Sequence, residues 1–267
     1  MTKAQLYVGL ACITCFALGV LLGYVPNYTP APPLADEVTQ VSTIDAILNG
    51  LYDGVITYGE LKRYGDFGIG TFEGLDGEMV ALDGAFYQIK ADGVAYPVDD
   101  ALTTPFACVL FFDADRELPV WEGLNATDLP RYLDESIAED NIFHAVMLEG
   151  TFSYVKTRSV PGQQKPYPPL VEVTAHQPTF EFQNVRGTIV GFYSPAYVEG
   201  LNVPGYHLHF VTEDRTGGGH VLEFTIKDAE LFVDYSSELH LILPNTDEFN
   251  RLDLTRSRQG ELEEAEK

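Results

Sequence analysis

Three Asp-Gly pairs, Asp76-Gly77, Asp83-Gly84 and Asp92-Gly93, separate short aromatic and β-branched runs at 67–72, 78–82 and 85–90, with another run at 106–112. This punctuation restricts the first half of the chain to strands joined by tight reversals. Glycine supplies the positive φ that a two-residue hairpin turn needs, and the runs are too short and too β-branched for helices. Helical signals are few. Residues 43–49 follow Ser42 as a cap and stop at Gly50, Thr57 and Glu60 have capping-box spacing before 61–64, and 127–137 reads as a capped helix with Pro130 in its first turn. Further strands are expected at 141–149 and 151–158, joined at Gly150, and at 180–190, 229–235 and 238–243. Residues 161–170 (PGQQKPYPPL) read as an ordered crossing or a lid. The tail from 247 to 267 is polar and Glu-rich, and by itself reads as a frayed terminus.

Residues 1–35 have a different character. They contain no Asp or Glu, Lys3 is their one charge, and 6–25 is a continuous apolar block followed by a proline-rich spacer at 26–33. The expectation is an export signal or a membrane anchor, placing the folded part in the periplasm or outside the cell, tethered by residues 6–25 if the leader is kept. Cys12 and Cys15 lack the flanking residues of a lipoprotein site and read as apolar filler, which leaves Cys108 alone in the folded part, without a disulfide framework. The formal net charge of −24 would repel nucleic acid and anionic lipid, so any membrane contact is expected through the leader only.

Chemistry is concentrated in 205–224 (GYHLHFVTEDRTGGGHVLEF), which holds three of the six histidines. His207 and His209 stand two apart in a strand-forming run and therefore share a face. The polar, glycine-rich stretch 213–219 turns the chain, and a symmetrical antiparallel return sets His220 opposite His209. Three imidazoles converging with open positions left over are the ligand set of a catalytic zinc, and they suit other first-row divalent metals as well. A single histidine on a strand is more often a packed core residue; the clustering is what favours a metal. His144, His176 and His240 read as structural. From the residues alone, an acidic exported protein that sequesters zinc without turnover, and a metal-dependent oxygenase or isomerase, stand beside a zinc enzyme.

Several blocks in order resemble the bacterial α-acetolactate decarboxylase family. They are Gly70-Thr71-Phe72 with Leu75-Asp76-Gly77-Glu78-Met79, Leu82-Asp83-Gly84 with Tyr87, and Gly150-Thr151-Phe152 with Val155-Lys156-Thr157-Arg158-Ser159-Val160. Lys165-Pro166-Tyr167 with Pro169-Leu170 and Gly205-Tyr206-His207-Leu208-His209-Phe210 complete the set. The resemblance implies a zinc-dependent lyase, usually a homodimer, that converts (S)-2-acetolactate to (R)-acetoin and carbon dioxide through an enediolate. It implies Zn2+ on His207, His209 and His220, catalytic roles for Glu78 and Arg158, a substrate contact at Thr71, and a glutamate returning from the C-terminus. That glutamate is assigned to Glu266, with Glu263 and Glu264 as the neighbouring registers. The fold expected is α/β with α+β character: two lobes, 36–150 and 151–267, built on mixed, largely antiparallel sheets with a few short helices.

Overall fold

The computed structural model describes residues 36–139 and 141–266. The leader and spacer expected in residues 1–35 lie outside the described residues. Those described belong to one compact unit, Leu34–Lys267, of mixed α+β character, rich in sheet and with a few short helices. No helix among them is long and apolar enough to cross a membrane.

In chain order the first elements are β1 (Glu37–Val41), α1 (Ile44–Leu48), β2 (Ile56–Thr57), α2 (Tyr58–Leu61), β3 (Phe67–Thr71), β4 (Glu78–Leu82), β5 (Ala85–Ile89), β6 (Ala95–Pro97), β7 (Thr103–Thr104) and β8 (Ala107–Leu110). There follow β9 (Arg116–Leu118), α3 (Leu129–Ser136), β10 (Phe143–Arg158), α4 (Leu170–Thr174), β11 (Thr179–Ser194), β12 (Gly205–Thr212), β13 (Gly218–Ser236), β14 (Glu238–Ile242), α5 (Asp247–Arg251) and α6 (Gln259–Ala265). One large sheet runs β14-β1-β8-β3-β4-β5-β6 and is antiparallel except where β1 lies parallel to β14. Its hairpin β4–β5 turns on Asp83 (φ 53°) and Gly84 (φ 75°). Both turn residues are left-handed, as the strand twist demands of a two-residue turn.

The second sheet closes on itself. β10 pairs with β11 on one side and β13 on the other, and β12 joins β11 to β13, so four antiparallel strands form a ring; β9 adds to β13. Phe152 meets Phe210 and Phe224 edge-on, with ring centroids 5.6 and 6.0 Å apart, inside a buried cluster that includes Val155, Ile226 and Leu231. Closure removes the edges that an open sheet of such long strands would expose.

The structure departs from the sequence expectations at several points. The strands expected at 141–149 and 151–158 are one strand, β10, and the return through His220 and the strand expected at 229–235 are both parts of β13. Gly150 does not break the strand. A Cβ there would lie 2.3 Å from the Asp228 carbonyl oxygen and 2.5 Å from the Ala229 Cα, so glycine permits the close approach of β13. The cap of α1 is Thr43, whose side chain accepts the Ala46 N–H; Ser42 sits at φ 62° before it. Thr57 caps as expected, but its helix is Tyr58–Leu61, three residues earlier than 61–64.

The tail is not frayed. Leu262 and Ala265 of α6 are buried in the same cluster as Leu170 and Val173 of α4. Residues 161–170 are an ordered crossing: Gln163 N donates to Gly74 O at 2.6 Å, Lys165 pairs with Asp53 at 2.7 Å, and Tyr52 OH donates to Pro168 O at 2.8 Å.

Candidate metal centre and active site

The histidine hairpin forms as its spacing requires, with His209 directly opposite His220 in the β12–β13 register. His207 Nε2 lies 3.1 Å from His220 Nδ1 and 3.2 Å from His209 Nε2, and the three rings are the group among the described residues whose ligand atoms converge. Nitrogens about 2.0–2.1 Å from a tetrahedral ion are separated by about 3.3 Å, so this spacing fits one ion. His209 Nδ1 is 2.8 Å from the Met79 carbonyl oxygen. That hydrogen bond places the proton on Nδ1 and leaves the Nε2 lone pair facing the other two rings, the outer support that metal-ligating imidazoles require.

Burial and the nearby Arg158 cation pull His207 down to about 3; burial, with the neighbouring imidazoles and Arg158, depresses His209 and His220 as well, the Met79 hydrogen bond opposing it at His209. All three are therefore neutral near pH 7, the state in which imidazole binds a metal. The donor set can hold a divalent ion.

Two strands of the large sheet bring Thr71 and Glu78 to this point. Thr71 and Glu78 face each other across β3 and β4, and β4 passes beneath His209 through Met79. Glu78 is buried, with Oε2 3.6 Å from His209 Nε2. Burial pushes its carboxyl up to about 7, with Glu266 adding to the rise and Arg158 opposing it. Arg158 ends β10 opposite His220 and is 3% exposed; its Nη1 donates to Gln177 Oε1 at 2.6 Å.

Of the tail glutamates, Glu266 reaches the site. Its Oε2 lies 3.6 Å from His220 Nε2, 3.9 Å from His207 Nε2 and 4.0 Å from Arg158 Nη2, and burial raises its pKa. Glu263 and Glu264 are exposed, and Glu263 accepts from Gln259 at 3.1 Å.

These groups share a cavity of about 60 Å³ whose lining includes Thr71, Glu78, Arg158, the three histidines and Glu266, walled by Ile44, Ile47, Leu75, Phe106, Val160 and Leu170. That volume admits about four waters or one small organic molecule. The Thr71 hydroxyl donates to Gly77 O at 2.7 Å, which orients it in the wall. Sequence reasoning did not reach three features: the Met79 carbonyl, the apolar walls, and Gln177. Gln177 lies between α4 and β11 in a context with no local signal, and only the fold brings it to Arg158.

A family model described as alpha-acetolactate decarboxylase matches residues 38–256. An alpha-acetolactate decarboxylase of Methanosarcina mazei is 51% identical over 233 residues, covering 87% of this chain and 81% of that protein. One from Bacillus subtilis is 43% identical over 213 residues, covering 80% and 84%. The crystal structure of alpha-acetolactate decarboxylase from Bacillus subtilis superposes with a TM-score of 0.84 at 41% identity, covering 86% of this chain and 99% of that one. A Staphylococcus aureus structure described as similar to alpha-acetolactate decarboxylase gives 0.80 at 30% identity, covering 86% and 98%. With the matched region spanning both sheets and all the site residues except Glu266, the chain belongs to the alpha-acetolactate decarboxylase family.

Proposed function

We propose that this protein is a zinc-dependent carboxy-lyase that converts (S)-2-acetolactate to (R)-acetoin and carbon dioxide. The observation that carries the reading is one small cavity holding three neutral, converging imidazoles together with Glu78, Arg158 and Glu266. The substrate is a β-keto acid. When the bond to its carboxylate breaks, the electron pair moves onto the neighbouring ketone to give an enediolate, which must then take a proton at carbon. Zinc on His207, His209 and His220 supplies Lewis acidity to the oxygen charge that develops.

The chain's own groups do the rest. Arg158, permanently charged and buried, orients the anionic substrate and favours oxygen charge that persists after carbon dioxide leaves. Glu78, whose carboxyl burial pushes upward and which lies beside His209, is placed to donate a proton to carbon from its side of the cavity. Glu266, beside His220 and His207, raises the Glu78 pKa by its charge and so helps keep the Glu78 proton in place. The apolar wall from Ile47 to Leu170 excludes water from the carbanionic centre. Thr71 completes the substrate contacts. One proton is consumed per turnover, which Glu78 recovers from solvent.

In the same reading the enzyme is a homodimer, and the apolar block at 6–25 exports or tethers it. The test is to supply the full chain, purified in mild detergent and loaded with zinc, with racemic acetolactate. Equal amounts of carbon dioxide and acetoin support the reading. A folded, zinc-loaded protein that releases neither would be a zinc-sequestering protein, and a rearranged keto acid in place of acetoin would mark an isomerase.

A further inference from the structure

We infer that Gln177 is a positioning residue for Arg158: it holds one end of the guanidinium so that the opposite edge, Nε with Nη2, faces the cavity. Arg158 Nη1 donates to Gln177 Oε1 at 2.6 Å, whereas Nε is buried and has no protein partner. Nη2 has the Glu266 carboxylate 4.0 Å away, beyond hydrogen-bond distance. In a planar guanidinium, Nε–H and one Nη2–H point the same way, and together they match two oxygens of a carboxylate. Fixing Nη1 therefore decides which edge of the guanidinium turns toward the cavity that Arg158 lines, and an unpaired buried donor on that edge is costly unless it gains an acceptor.

Gln177 is itself well placed for this task. Arg158 pairs with Thr179 across β10 and β11, Ser159 N donates to Pro178 O at 3.3 Å, and Gln177 N donates to Thr174 O at 3.3 Å at the end of α4. The acceptor is thus anchored by the ladder on one side and by a helix end on the other, and Thr174 also lines the cavity. Being neutral, the amide fixes the guanidinium without neutralising it. A carboxylate in its place would weaken the pull of Arg158 on an anionic substrate.

The catalytic consequence rests on the function proposed above; the orientation does not. The test therefore has two readouts on the zinc-loaded full chain in detergent, with Q177A and Q177E compared to the parent. The first is the ¹⁵N order parameter of the Arg158 Nε–H, assigned by its loss in R158K. A rigid value of about 0.85 in the parent falls below about 0.6 in Q177A and returns in Q177E, where an acceptor is restored. The second is steady-state kinetics: kcat/KM for acetolactate falls about 100-fold in Q177A, with zinc content unchanged.

An order parameter that stays at the parent value in Q177A overturns the inference, whatever happens to thermal stability. If the parent shows no turnover, the proposed function fails, and the order parameter still decides whether Gln177 orients Arg158. If the parent turns over and Q177A matches it, the positioning role is refuted.

Discussion

Asp234 offers a test of the electrostatics that is independent of the active site. It lies on β13 opposite Ala145, is 1% exposed, and accepts the Asp113 N–H on Oδ2 at 3.0 Å, while Oδ1 is buried without a partner. Burial pushes its carboxyl from 3.8 up to about 7; the Asp113 N–H opposes the rise, and Asp115, Asp36 and Asp113 add to it. The sign follows from proton counting. Between pH 4 and 7 the folded state holds a proton that the unfolded state has released, so stability falls as pH rises through this window.

Replacing Asp234 by Asn keeps an oxygen for the Asp113 N–H and mimics the protonated acid. Asp234→Asn should therefore match the parent near pH 4 and exceed it near pH 8 by up to about 4 kcal/mol, at about 1.4 kcal/mol per pH unit. For a domain of this size that is a rise in melting temperature of about 8–16 °C. Paired thermal or urea melts of parent and variant from pH 4 to 8 measure it, since the remaining charges cancel in the difference. A difference that stays constant across this range would refute the assignment of a raised pKa to Asp234.

At the active site, His209→Ala should lose both zinc and turnover, whereas Arg158→Ala should keep zinc, measured by metal analysis, and lose about 100-fold or more in kcat/KM. Glu78→Gln should retain metal and lower kcat by about 100-fold or more; in the parent, kcat should fall as pH rises through the pKa of Glu78, because a proton donor is competent only while protonated, and the variant should lose that limb. Gly150→Val should destabilise the ring by about 1–3 kcal/mol in denaturant melts, since its Cβ would meet the Asp228 carbonyl at 2.3 Å.

The convergence of the three histidines was legible in the sequence because it depends on two local rules. Period two puts His207 and His209 on one face, and a turn of the right length sets His220 opposite His209. The β4–β5 hairpin was legible for the same reason, through Asp83-Gly84. Closure of the ring was not, because pairing of β10 with both β11 and β13 is a long-range fact, and Gly150, which looks like a break, is a point of close approach.

The tail misled in another way. Its glutamates give the composition of a solvated end, and the two residues that anchor α6, Leu262 and Ala265, are too few to stand out as a helical stripe. Only the resemblance placed a terminal glutamate in the site, and the turn of α6 brings Glu266, rather than Glu263 or Glu264, to the histidines. Gln177 has no sequence signature, since its task exists only once β10 and β11 are paired.

In the function proposed above, the histidine hairpin holds a zinc ion on which decarboxylation depends. The most direct measurement is metal content and acetoin release in parallel, on the full chain as purified, after chelation, and after return of zinc. The expected result is about one zinc per chain, turnover that disappears with it, and turnover that returns when zinc alone is restored. Full turnover by metal-free protein, or recovery with iron and not with zinc, would contradict it.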